Sequence, residues 1–150
     1  MTDRISKRQR SKNMSAIHSK NTIPEIYIRK LLFARGFRYR ISNRLIIGTP
    51  DLFIKKYNLA VFVNGCFWHR HINCKYATIP KTNIKYWREK FASNINRDRR
   101  VRSELEKQGI RQLIIWECTL KKMKKNPEYR QKILTQIIDF ILSDEKHGEF

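Results

Sequence analysis

Acidic side chains are scarce in this 150-residue chain: 13 Asp and Glu stand against 33 Lys and Arg, a formal net charge of +20. Such an excess creates a field that attracts polyanions, nucleic acid first and anionic membrane second. Charge alone does not separate an enzyme from a structural protein of ribosomal type. Long apolar runs are missing as well. None approaches the ~18 consecutive residues of a membrane span, so no membrane role is expected. The opening residues MTDRISKRQRSKN carry basic side chains but no apolar stretch of the secretory kind, and the expected location is the cytosol. Cysteine is limited to Cys66, Cys74 and Cys118. An odd count in a cytosolic chain argues against a disulfide framework, leaving reduced, partly buried thiols or a metal site. With five glycines and four prolines there is no flexible linker, and no repeat is present. The length suits one domain that buries roughly two-thirds of its unfolded surface, and a hydrophobic share of 41% can supply its core.

Residues 1–20 form a basic arm, Arg4, Lys7, Arg8, Arg10, Lys12 and Lys20 against Asp3 alone. It is either a solvated tail or a segment that orders on a polyanion. Thr22-Ile23-Pro24-Glu25 predicts a helix start with a capping box, and Gly36 its end. Phe37, Tyr39 and Ile41 alternate as a short strand, and 51–54 form a second. Leu59 to Val63 reads as a third, buried on both faces. Residues 64–83 are irregular. A long helix follows over about 83–108, with Ile84, Trp87, Phe91 and Ile95 on one face and Gly109 closing it. A fourth strand spans 110–117 and a last helix 128–142. A helix between strands three and four implies a right-handed crossover and makes those strands parallel. The class is α/β, a mixed sheet flanked by helices. Cys66 and Cys118 each fall just past a strand end, so neighbouring strands would bring both thiols to one edge.

Cys66-Phe67-Trp68-His69-Arg70-His71-Ile72-Asn73-Cys74, completed by Cys118, offers three thiolates and an imidazole, a closed tetrahedral set for structural zinc. His71 sits between the local cysteines with room to turn; His69 is the alternative, and spacing does not separate them. Bound zinc would keep a long irregular loop ordered.

Thr49-Pro50-Asp51 presents a carboxylate at the entry of a strand. A hard ion such as Mg2+ needs oxygen ligands, and in phosphodiester cleavage it stabilises phosphate charge and activates water. A plain Pro-Asp turn is the competing reading. Many metal-dependent nucleases place an Asp/Glu-x-Lys on the next strand. Here that stretch is Val61-Phe62-Val63-Asn64, without carboxylate or lysine. Proton transfer then falls to His69, which titrates near neutrality, if it is not a surface or metal-ligating histidine. Glu25 is either a capping carboxylate or a group reaching the site through water. Phe67 and Trp68 are hard to bury as a pair and can stack on bases or wedge between them, while Trp87 also fits a core stripe. Arg97/Arg99/Arg100/Arg102 and Lys121/Lys122/Lys124/Lys125 are candidate phosphate contacts or solvated faces.

Several of these residues fall into a known order. Arg10-Ser11-Lys12-Asn13-Met14, Thr49-Pro50-Asp51, Val61 to His69 with its Gly65-Cys66-Phe67-Trp68-His69 run, the Trp87 region, Asn94-x-x-Arg97-Asp98 and Trp116-Glu117-Cys118 together resemble the very-short-patch repair endonucleases of bacteria. The match covers about residues 10–120. The resemblance implies a restriction-endonuclease-like fold with a structural zinc loop, in a single endonuclease domain over 21–150. It implies Mg2+-dependent nicking 5′ to the thymine of a T:G mismatch left by 5-methylcytosine deamination. Asp51 and the Val63 carbonyl would bind magnesium, His69 would be the catalytic histidine and Glu25 would assist. Cys66, His71, Cys74 and Cys118 would hold zinc. Phe67, Trp68 and Trp87 would enter the duplex, Asn94 and Arg97 would contact it, and the arm with Met14 would clasp it. The expected partner is mismatched double-stranded DNA, met by a monomer linked in function to a cytosine-5 DNA methyltransferase. Two departures stand out: some members carry Thr-His at Val63-Asn64, and the loop before Cys74 is slightly longer. A different class of reading is a non-catalytic, zinc-stabilised nucleic-acid-binding protein.

Overall fold

The structure, a computed structural model, describes residues 6–9 and 21–150. Most of the basic arm, Met14 included, lies outside the described residues; residues 7–9 form one exposed helical turn. Helix α1, Ile23–Ala34, starts with proline in its first turn, where a missing N–H costs nothing, and stops ahead of Gly36 at φ +92°. The expected capping box is not formed. Thr22 Oγ1 donates to Glu25 Oε1 at 3.0 Å instead of accepting a backbone N–H, because Glu25 is held by neighbours of its own.

Five strands line up in the order β1 (Arg40–Ile41), β2 (Leu52–Ile54), β3 (Leu59–Asn64), β4 (Arg111–Trp116) and β5 (His147–Glu149). The first three are joined antiparallel by short connections. Helix α2, Ile84–Lys107, is the long connection that lets β4 lie parallel to β3 with Asn64 opposite Trp116. Helices α3 (Glu117–Lys125) and α4 (Pro127–Leu142) follow, and β5 returns parallel to β4.

Alternation along each strand sends side chains to two faces. Leu52, Ile54, Leu59, Val61, Leu113 and Ile115 meet Ile28 and Leu32 of α1, Leu120 and Met123 of α3, and the apolar stripe of α4. The opposite face is thinner: Phe53 and Ala60 meet Val101 and Leu105 of α2. Among the described residues, no helix is long and apolar enough to cross a membrane.

The elements depart from expectation in five places. The alternating 37–41 stretch pairs only at Arg40–Ile41, since Phe37 turns into the core instead of joining a ladder. The expected two-sided burial of β3 holds for Leu59, Ala60 and Val61, whereas Phe62 and Val63 are half-buried beside open clefts. The fourth strand ends at Trp116, and Glu117 opens a helix that was not expected. Strand β5 was not expected either. The supposed core stripe of α2 does not enter the core. Ile84 is 52% exposed, and only Asn94, Val101 and Leu105 of that helix are buried. Its first half carries the half-buried rings of Trp87 and Phe91 outside the two buried clusters.

Candidate active site and metal centre

Three acids and a histidine converge near β2 and the loop after β3. Pro50 is buried and delivers Asp51 beside the sheet, where its Oδ2 accepts the Val63 N–H at 2.7 Å. Burial pushes the Asp51 carboxyl up to about 6; the Val63 N–H opposes that rise, the charge of Glu25 adds to it, and Arg29 and His69 oppose it. Glu25 is 5% exposed. Its carboxylate accepts from the Asn21 N–H at 3.0 Å and from Arg29 Nη2 at 3.2 Å, and Arg29 is steadied by Asn21 Oδ1 at 2.8 Å. The predicted grouping of Asp51, Glu25 and His69 is therefore a single electrostatic neighbourhood, with Arg29 a member that the sequence did not reveal.

His69 lies 2.6 Å, Nδ1 to Oδ2, from Asp98 on α2. A carboxylate can only accept here, so Nδ1 carries the hydrogen and Nε2 is left free. Asp98 belongs to the Asn94-x-x-Arg97-Asp98 motif, but nothing in the spacing gives it a role; its partner lies 29 residues back and becomes a neighbour only through the crossover. His69 stands between two clefts. One, of about 630 Å³, is lined by Glu25, Val63, Trp68, Lys90, Asn94 and Arg97. The other, of about 440 Å³, is lined by Asn64, Asp98, Arg99, Arg102 and His147.

The aromatics form a cluster at the mouth. Phe67 meets Trp68, Trp87 and Phe91 at centroid distances of 5.1, 5.3 and 5.2 Å, mostly edge to face. None of the four is fully buried. Arg70 fastens the cluster. Its guanidinium sits 4.0 Å from the Phe91 centroid and donates to the carbonyls of Phe67, Ala77 and Thr78. Asn94 is 5% exposed and spends an amide hydrogen on the Trp68 carbonyl at 3.0 Å, so it holds the loop from behind, while Arg97 is exposed on the same helix. Phe91 and Arg70 were not among the expected site residues; helical spacing concealed the first and a basic loop the second.

Cys66, His71, Cys74 and Cys118 bring their ligand atoms within 4.8 Å of one another. His71 Nδ1 lies 3.6 Å from Cys66 Sγ and 3.4 Å from Cys118 Sγ. The choice left open by spacing is resolved: His71 joins the cluster and His69 turns to Asp98. Burial raises the Cys66 thiol to about 12 and also raises that of Cys118; at Cys74 burial is outweighed by hydrogen bonds from the Tyr76 backbone and the neighbouring thiols, and its pKa is lowered. Burial lowers the pKa of His71, which favours the neutral ring. An imidazole and three convergent thiols are the donor set of a soft tetrahedral metal site. The His71 ring stacks on Trp116 at 4.0 Å and 6°, and Trp116 Nε1 donates to Glu149 Oε1 at 2.7 Å.

A mixed α/β sheet with an acid at the entry of one strand and a histidine–carboxylate pair beside it fits a nuclease. The family described as DNA mismatch endonuclease Vsr matches residues 2–75. The type II nicking enzyme V.NmeAIP of Neisseria meningitidis serogroup A is 41% identical over 141 residues, 94% of this chain and 100% of that enzyme. V.XorIIP of Xanthomonas oryzae pv. oryzae, another type II nicking enzyme, is 40% identical over 80% of this chain and 88% of its own. The DNA mismatch endonuclease Vsr of Escherichia coli K12 is 39% identical over 83% of this chain and 80% of its own. The chain belongs to the Vsr family of DNA mismatch endonucleases, whose architecture is restriction-endonuclease-like.

Proposed function

We propose that this protein binds duplex DNA at a T:G mismatch and nicks one strand 5′ to the mismatched thymine by hydrolysis. The observation that carries this reading is the electrostatic grouping of Asp51 with Glu25 and His69, with Glu25, His69 and Trp68 lining one cleft and Asp98 holding the His69 ring. Burial and the neighbouring Glu25 both act against the Asp51 charge, and a divalent cation would relieve that penalty, so the residues fit Mg2+ held by Asp51 and the Val63 carbonyl. When bound, Mg2+ supplies charge stabilisation at the phosphate and a more acidic water.

The chain's own residues do the rest. His69 Nε2 accepts a proton from the water that attacks phosphorus, the P–O3′ bond breaks and the 3′ oxygen leaves and takes a proton from solvent, while Asp98 holds the ring in the required tautomer and balances the imidazolium that forms. Asn64 cannot take over this role: it is 7% exposed, and an amide does not exchange protons as imidazole does. Phe67, Trp68 and Trp87 enter the base stack beside the mismatch, Arg97 binds phosphate, Asn94 sets the wedge, and Glu25 with Arg29 fixes the charge around Asp51. Zn2+ in the Cys66, His71, Cys74 and Cys118 site braces the loop that bears His69. Residues 21–150 act as one endonuclease domain, and the arm of residues 1–20, through Met14, clasps the duplex. The enzyme works as a monomer in the bacterial cytoplasm, downstream of a cytosine-5 DNA methyltransferase whose product deaminates to thymine.

The test is a strand-labelled duplex with one T:G mismatch in a methylatable cytosine context, beside its matched C:G counterpart, with and without Mg2+. The expected outcome is a Mg2+-dependent nick in the thymine strand alone. Asp51→Ala and His69→Ala should each slow it by roughly 10²-fold or more while binding persists. Equal cutting of both duplexes would remove the mismatch from the reading. Tight binding without cutting would leave a binding protein.

A further inference from the structure

A second groove, lined by none of the four clustered aromatics, opens beside the Cys/His cluster. It measures about 430 Å³, and Cys74 and Cys118 form part of its floor. The loop side supplies Lys75 and Tyr76; the helical side supplies Lys121, Lys122, Lys125 and Tyr129. No residue lining it carries a carboxyl group.

The ammonium groups are held in place. Lys75 and Lys121 Nζ lie 5.1 and 4.4 Å from the Tyr76 ring centroid, and Lys122 Nζ lies 4.2 Å from that of Tyr129. Glu117, outside the groove, takes up one charge through Lys121 at 2.9 Å. Among the described residues, Lys75, Lys122 and Lys125 form no ion pair with a carboxylate. Cations that face one another across a groove repel, and an anion seated between them relieves that repulsion directly.

We propose that this groove binds the sugar–phosphate backbone of the DNA duplex on one flank of the cleavage site. The inference rests on the proposed reading of the site as a DNA cleft and adds a contact to it. Continuity selects this occupant. The groove and the cleft beside His69 open at the same edge of the sheet, at the carboxyl ends of β3 and β4, and a single loop runs from Trp68 at one to Lys75 at the other. A ladder of evenly spaced phosphates can fill both at once. The groove meets only the backbone, so it adds affinity and orientation without reading sequence. Lying to one side, it makes the footprint asymmetric about the mismatch.

The test uses equilibrium binding without Mg2+, so that failure of the cleavage reading leaves it intact. The triple variant Lys75→Gln/Lys122→Gln/Lys125→Gln is compared with wild type and with Lys55→Gln/Lys56→Gln/Lys146→Gln, which removes the same charge from exposed positions at the opposite edge of the sheet. Affinity is measured against salt on the full mismatched duplex and on duplexes shortened on one flank or the other. The salt slope of the groove variant should be shallower by about 0.9 for each phosphate that the protein no longer neutralises, and the control should keep the wild-type slope. Shortening one flank should weaken wild type and leave the groove variant unchanged, the signature of coupling between flank and groove. The proposal is overturned if the groove and control variants have the same slope. It is equally overturned if shortening either flank costs both proteins alike, the result expected of lysines that merely offset nearby thiolates.

Discussion

At the scale of single residues the site is a set of penalties held in place by neighbours. Asp51 is the clearest. Its carboxyl is raised from 3.8 to about 6, first by burial. The folded chain thus holds that proton more tightly than the unfolded chain. Its contribution to stability is full below pH 3.8 and is lost as the pH rises through about 6. The shift corresponds to roughly 3 kcal/mol as an upper bound. Asn resembles the protonated acid and can still accept from the Val63 N–H. Metal-free Asp51→Asn should therefore be more stable than wild type at pH 8 and no more stable at pH 4, as read by urea unfolding. A variant equal to or weaker than wild type at pH 8 would show that Asp51 costs the fold nothing. The chemistry of these residues could be read from the chain, but their pairings could not. Spacing left His69 and His71 interchangeable, and only the approach of α2 gives Asp98 to one and only β4 gives Cys118 to the other.

Among the elements, those that bury an apolar pattern were legible and those built by context were not. Helices α1 and α4 and strands β2, β3 and β4 announce themselves through periodic Ile, Leu and Val. Helix α3 hides in a run of lysines, with Leu120 and Met123 as its buried anchors. Strand β5 is His147-Gly148-Glu149, with no apolar side chain; it pairs with β4 through the backbone and through the polar contacts His147–Gln112 at 3.1 Å and Trp116–Glu149 at 2.7 Å. Its place depends on the missing side chain of Gly148, since a Cβ there would lie 2.5 Å from the Phe140 ring. Phe140 is 5% exposed and has little room to retreat. Gly148→Ala should cost about 1–3 kcal/mol in urea unfolding. It should also loosen metal binding in a chelator competition, because Glu149 holds Trp116, on which His71 stacks. Unchanged metal affinity would mean that β5 braces only the sheet. The first half of α2 misled in the opposite direction: an apolar stripe at helical spacing carries a half-buried aromatic cluster outside the core.

For the whole molecule the balance lies between a small core and a large charge. One face of the sheet is thickly covered and the other thinly, and +20 of formal charge opposes compaction. The Cys/His centre ties the loop carrying His69 and Trp68 to the start of α3. A ligand present at about 1,000 times its dissociation constant stabilises by ~4 kcal/mol. Stripping the metal should therefore lower Tm by about 10 °C at low salt, measured by calorimetry before and after dialysis against a chelator and again after Zn2+ is restored. A Tm indifferent to chelator would mean that the thiols are structural without an ion.

His71 and Cys118 stand 47 residues apart, with the whole of α2 between them. A chain emerging from the ribosome therefore offers three donors early and the fourth only after the crossover helix and β4 have been made. Until then the loop beside β3 lacks a closed set of donors. If the cluster takes up an ion, that capture can be completed only after β4 has been made, so it would mark the point in synthesis at which the loop bearing His69 is braced.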